Sequence, residues 1–174
     1  MPADDQPVSD LTRERRQSCR ALSAHTQRTG GPQLIVDASV ILRAFFPDEV
    51  QGKAQTLVRE HITGQIRLKA PSLQPYELSN AVWQAERRGR ISLGEADMVL
   101  AAMHDLGITF EVVEWDEMLP LARSFNCTAY DAAYLALASR LGEKLITGDE
   151  RLYNSVRSKL DWVVWIERYE IDEK

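Results

Sequence analysis

From position 34 onward the chain alternates short apolar runs of strand length with segments of helical period, and this alternation limits the folds open to it more than any other feature. Strands are predicted at 34–36, 66–69, 109–113, 144–146 and 162–165. Helices are predicted at 40–46, 50–62, 75–88, 93–105, 118–125 and 129–141, with a short one from Glu150. Strands joined through helices need crossover connections, which are right-handed and give a parallel sheet covered on both faces. The expected fold is therefore α/β, a three-layer sandwich with a short parallel sheet. In such sheets ligands bind beyond the carboxyl ends of the strands, so an acid that ends a strand or opens the next helix can face a site.

A chain of 174 residues is long enough for one domain with a substantial core and short for two. Residues 1–33 alternate charged residues with Ser, Thr and Gln and close on the breaker Thr-Gly-Gly-Pro, so they are expected to form a polar arm outside the core, with a short helix near 10–22 as the alternative. Residues 34–174 are expected to form the domain. No apolar run approaches the roughly 20 residues that span a bilayer, and the N-terminal segment lacks the apolar stretch of a secretory signal; a cytoplasmic location is expected. Cys19 and Cys127 make neither a disulfide framework nor a zinc site and are read as free thiols.

The net charge of −5 argues at first against a polyanionic partner. Its distribution removes the objection. Residues 34–160 hold fourteen Lys and Arg against seventeen acids, so if four of those acids bind a cation the rest of this stretch is +1.

Four acids stand where a parallel sheet would open its site. Asp37 follows Leu-Ile-Val at the end of the first strand, and Asp149 follows Ile-Thr-Gly beyond another. Either one also suffices as a helix cap. Asp131, three residues after Thr128, has the spacing of a capping box, and acid in a first turn suits the helix dipole. Glu77 is different. It lies among Leu78, Val82 and Trp83, the expected buried stripe of its helix, with Ala81 rather than a cation at i+4. Together the four point to a cation between them, because like charges at close range raise each other's pKa. Oxygen-only ligands favour Mg²⁺ or Mn²⁺ over zinc. His61 and His104 fall at helix ends and His25 in the arm; all three are expected on the solvated surface, which leaves no histidine base or triad.

In order, Val-Asp-Ala-Ser-Val with Asp37, Pro-Ser-Leu-Gln-Pro-Tyr-Glu-Leu-Ser-Asn-Ala-Val-Trp with Glu77, Tyr-Asp-Ala-Ala-Tyr-Leu-Ala-Leu-Ala with Asp131 and Leu-Ile-Thr-Gly-Asp-Glu-Arg-Leu with Asp149 resemble the PIN-domain family, most closely its toxin ribonucleases of the VapC type. The resemblance spans 34 to about 165. It implies an acidic quartet of Asp37, Glu77, Asp131 and Asp149 holding Mg²⁺ or Mn²⁺, with Ser39 and Thr147 as accompanying hydroxyls, which are equally turn and cap residues. It also implies hydrolysis of single-stranded or looped RNA, a cognate antitoxin protein and a homodimer. The apolar face of Leu93, Met98, Ala101 and Ala102 is the candidate dimer surface, with internal packing as the alternative. Arg87, Arg88 and Arg90 are candidates for RNA backbone contacts, or else cations that stabilise a helix end before Gly89. Trp83, Trp115, Trp162 and Trp165 are candidate base-stacking platforms, with core packing expected for most of them.

Two other classes remain. A phosphatase with Asp-x-Asp after the first strand would have Asp at position 39, where Ser39 stands, and a phospho-receiver would not need Glu77 or Asp131. A catalytically degenerate PIN module serving as an RNA- or protein-binding platform would not need all four acids.

Overall fold

The computed structural model describes residues 31–49 and 52–170. The greater part of the expected arm, with its possible helix, Cys19 and His25, lies outside the described residues, as do the start of the helix expected from position 50 and the last four residues.

Along the chain the elements are β1 (Gln33–Val36), α1 (Ala38–Phe45), α2 (Gly52–Ile62), β2 (Arg67–Pro71), α3 (Gln74–Arg87), α4 (Leu93–Asp105), β3 (Thr109–Glu111), α5 (Trp115–Phe125), α6 (Ala129–Leu141), β4 (Lys144–Thr147), α7 (Glu150–Val156) and β5 (Val163–Trp165), followed by a 3₁₀ turn over Ile166–Arg168. The five strands lie in the order β3-β2-β1-β4-β5 and every pairing is parallel. This is the expected α/β sandwich. Strand order reverses between β1 and β4, so the crevice at their carboxyl ends is the topological switch point, where open parallel sheets bind ligands.

Apolar runs without alternation explain why the sheet is central: Leu34, Ile35, Val36, Leu145 and Ile146 are all buried, as strands covered on both faces require. On one side α6 packs across β1, β2 and β4. Its residues from Ala132 through Ala138 are buried without interruption, the pattern of a helix surrounded by protein. The first and second crossovers run towards β3 and the later ones towards β5, so right-handed connections put α1 to α4 on the opposite face from α5 to α7.

Three local expectations change. Helix α5 begins at Trp115 rather than 118, because Glu114 and Glu117 form a capping box ahead of it. Trp83 does not belong to the buried stripe of α3: it is 52% exposed, while Leu78, Val82 and Ala85 face the core. Trp115 is exposed as well, and Trp162 and Trp165 are half-buried. His104 is exposed as expected, but His61 is half-buried, and its Nδ1 accepts the Leu68 backbone N–H at 3.3 Å. Among the described residues no helix is long and apolar enough to cross a membrane.

Candidate acidic site

The switch point places Asp37 and Asp149 side by side. Asp37 leaves β1 with its N–H on the Ile146 carbonyl (3.0 Å), so the residue remains hydrogen-bonded to β4. Its carboxylate caps α1 and is 8% exposed; Oδ2 accepts the Ser39 hydroxyl at 2.8 Å and the Thr147 hydroxyl at 2.5 Å. Each hydroxyl also works as an acceptor. Ser39 Oγ takes the Gly148 N–H at 2.9 Å, and Thr147 Oγ1 takes the Asp149 N–H at 3.0 Å. Two small hydroxyls therefore tie the end of β1 to the turn after β4. That turn is tight: Arg43 donates to the Gly148 carbonyl at 2.7 Å and lies over Trp165, and a Cβ on Gly148 would meet Arg43 Nε at 2.8 Å. Asp149 caps α7, with Oδ1 accepting the Arg151 and Leu152 N–H groups at 2.8 and 3.0 Å.

Glu77 and Asp131 come from the first turns of α3 and α6. Glu77 Oε2 accepts the Tyr134 hydroxyl at 2.5 Å. Asp131 forms the expected capping box with Thr128, and its Oδ2 lies 3.6 Å from the Arg151 guanidinium, which is 74% exposed. Both readings of these acids hold together: Asp37, Asp131 and Asp149 are caps, and they stand at one edge of the sheet.

The electrostatics link them. Burial raises the Asp37 pKa above the ordinary carboxylate value against the lowering effect of its hydroxyl bonds, and the Asp149 charge raises it further. Glu77 is pushed up to about 7, first by burial and then by the charges of Asp37 and Asp131, with the Tyr134 bond opposing. Tyr134 itself is raised, by burial and by the Asp37 and Glu77 charges. Asp149 thus acts on Asp37, and Asp37 and Asp131 act on Glu77.

Among the described residues no group of three or more His, Cys, Asp or Glu side chains is arranged to hold a metal ion as it stands. The surroundings nevertheless suit a hard cation. The donors are all oxygen, two carboxyls are held in a state that a nearby positive charge would relieve, and the buried Gln74 carries an unpartnered Oε1. Gln74 Nε2 donates to the Val36 carbonyl at 2.7 Å, and the side chain also bonds Tyr134, so it braces both Asp37 and the residue that holds Glu77. Gln74, Tyr134 and Arg151 were not singled out from sequence. All three stand inside the motifs quoted above, Gln74 at i−3 from Glu77, Tyr134 at i+3 from Asp131 and Arg151 at i+2 from Asp149, but their bonding partners are not local to those motifs.

Of the arginines proposed for RNA, Arg90 is held within the chain by Asp48 (2.5 Å) and Glu49 (2.7 Å) and lies over Phe46. Arg87 and Arg88 are exposed. Leu93, Met98 and Ala101 are exposed on α4, and Ala102 is half-buried.

The PIN domain family model matches residues 34–157, and the chain belongs to the PIN-domain family. Within that family it is similar to proteins named as VapC ribonucleases. Ribonuclease VapC3 of Pyrobaculum aerophilum is 34% identical over 124 residues, which is 69% of this chain and 92% of that one. Ribonuclease VapC9 of Mycobacterium tuberculosis is 32% identical over 120 residues, 68% of this chain and 87% of the relative. Among solved structures, PAE2754 from Pyrobaculum aerophilum superposes with a TM-score of 0.59 at 25% identity, covering 79% of this chain and 92% of the other.

Proposed function

We propose that the chain is a Mg²⁺- or Mn²⁺-dependent endoribonuclease, the toxin of a type II toxin–antitoxin pair, whose cation is held by Asp37, Glu77, Asp131 and Asp149. The observation that carries this is the convergence of those acids at the switch point, where burial first, and then the charges of neighbouring carboxylates, raise the pKa of Asp37 and of Glu77. The N-cap roles of Asp37 and Asp149 do not call for a charge, since Asn caps as well as Asp, and Glu77 caps no helix.

A bound divalent cation supplies Lewis acidity to a phosphodiester and its attacking water. The chain's own residues do the rest. Ser39 and Thr147 fix the Asp37 carboxylate, Tyr134 fixes Glu77, and Gln74 holds the Val36 carbonyl behind Asp37. Arg151, exposed beside Asp131, is placed to meet a phosphate, a contact suited to guanidinium. No protein nucleophile is needed. A cytoplasmic location agrees with an RNA substrate and with the absence, among the described residues, of a membrane-crossing helix, and the VapC-named relatives support a cognate antitoxin as partner. The exposed Leu93, Met98 and Ala101 of α4 support a homodimer through that face.

The experiment is cleavage of a circular single-stranded RNA, which offers no ends. Linear product with Mg²⁺ or Mn²⁺ and none in EDTA is expected. Undiminished cleavage in chelator would overturn the metal dependence, and cleavage of linear but never circular RNA would make the enzyme an exonuclease.

A further inference from the structure

Helix α3 carries a feature that neither its packing nor the acidic site uses. Taking Tyr76 as the origin at 100° per residue, Gln74, Leu78, Val82 and Ala85 fall between about 160° and 240°, the face that meets the core. Asn80, Trp83 and Arg87 fall within about 40° of Tyr76 on the opposite side. That side is solvated and would ordinarily be polar. Instead Tyr76 is 78% exposed and Trp83 52%, with the Arg87 guanidinium 5.8 Å above the Trp83 ring.

The position of this stripe gives it a direction. Helix α3 starts just beyond the carboxyl end of β2, and Tyr76 is the neighbour of Glu77, so one end of the stripe touches the acidic edge. The other end reaches the exposed cations Arg87 and Arg88. At 1.5 Å per residue the two rings are about 10 Å apart along the axis, a span that accommodates successive unpaired bases.

We propose that Tyr76, Trp83 and Arg87 form a stacking track for the unpaired bases and backbone of a single-stranded RNA as it leaves the acidic site. The track rests on the ribonuclease reading of that site. Aromatic faces stack on any base, so the track favours single strands over duplexes and tolerates sequence. Arg87 has two functions: it holds the Trp83 ring by cation–π contact and offers its remaining donors to a phosphate.

Binding can be read apart from catalysis, by fluorescence anisotropy of a labelled 12-nucleotide oligouridylate with the full chain in EDTA. Tyr76→Ala and Trp83→Ala should each weaken binding roughly 5- to 150-fold, the range of one lost base–aromatic stack. Trp83→Phe should recover most of the loss, and a duplex of the same length should bind all these proteins alike. Cleavage with Mg²⁺ should show the effect in KM more than in kcat. If wild type neither binds nor cuts RNA, the ribonuclease reading fails and the track with it. If wild type binds and cuts while both Ala variants, folded by their melting curves, bind as tightly as wild type, the track alone is overturned. A Trp83→Ala variant that turns a dimer into a monomer with unchanged RNA affinity would overturn it too, assigning the face to a second copy of this chain.

Discussion

Among the described residues Glu77 bonds the Tyr134 hydroxyl and no cation, and its surroundings make its ionisation costly in the folded chain. Its pKa rises from the ordinary 4.5 to about 7, through burial first and then the charges of Asp37 and Asp131. Between those two values the folded state holds a proton that the unfolded state has released, so stability falls as pH rises through this window and levels off above it. Asp37, also raised, adds to the same trend. The lowered carboxyls of Asp48 and Glu95 act in the opposite sense, but below the ordinary carboxylate range and outside this window. Metal-free protein should therefore melt higher at pH 5 than at pH 8, and Glu77→Gln should flatten the difference; a wild-type melting temperature that climbs from pH 5 to pH 8 would contradict this account of the site. Gly148 offers a second test at this scale. Its Cβ would stand 2.8 Å from Arg43 Nε, in a guanidinium held in place by the bond from its Nη2 to the Gly148 carbonyl and by the Trp165 ring. Gly148→Ala should cost about 1–3 kcal/mol as an overpacked contact, and the same change at exposed Gly94, where nothing lies within 4 Å, should not destabilise. Urea midpoints of the two variants check the contrast.

Helix starts supply all four acids, and at Asp37, Asp131 and Asp149 the sequence alone left cap and ligand open. The structure shows the caps: Asp37 on α1, the Thr128–Asp131 box on α6 and Asp149 on α7. Strand and helix order were legible because period and length mark them strongly. Trp83 was misplaced because an apolar residue beside Val82 extends a hydrophobic pattern whether or not its angle on the helix reaches the core. Gln74 and Tyr134 were out of reach for a different reason: their roles depend on bonds to Val36 and Glu77, 38 and 57 positions away, which no local pattern encodes. Substitution separates cap from ligand at α7. Asp149→Asn keeps an oxygen for the Arg151 and Leu152 N–H groups, whereas Asp149→Ala should cost about 1 kcal/mol of metal-free stability. If Asp149 binds the cation, both variants lose RNA cleavage, and the stabilisation by Mg²⁺, roughly 2.7 kcal/mol at 100 times its dissociation constant, shrinks in both. Full cleavage and an unchanged Mg²⁺ shift in the Asn variant would leave Asp149 a cap only. Asp37→Asn should be the more severe, since Asp37 is the buried member that Thr147 and Ser39 both hold.

At the scale of the whole molecule, the five strands and helices α1 to α7 lie within the described residues, and the central strand β1 starts at Gln33. Residues 31 and 32, just before β1, already make close backbone contacts. The Arg67 N–H reaches the Pro32 carbonyl at 2.9 Å, and a Cβ on Gly31 would lie 1.6 Å from the Gln65 carbonyl oxygen. Gly31 and Pro32 are therefore both packed against the strand that starts at Arg67. Two truncations on either side of these two residues should behave differently. Removing residues 1–30 should change stability by less than about 0.5 kcal/mol, as for surface changes that break no buried contact. Removing 1–32 deletes the Pro32 acceptor and frays β1 at its pairing with β2, so its urea midpoint should fall measurably below that of the shorter deletion. Gly31→Ala in the full chain should also destabilise, because the Gln65 backbone cannot move aside as a flexible side chain would. Cleavage of single-stranded RNA should survive removal of 1–30, since every acid of the proposed quartet and the whole of α3 lie beyond it. A large fall in the urea midpoint on deleting 1–30 would show that the segment packs on the domain; a loss of RNA affinity with the midpoint unchanged would make it part of the substrate-binding surface.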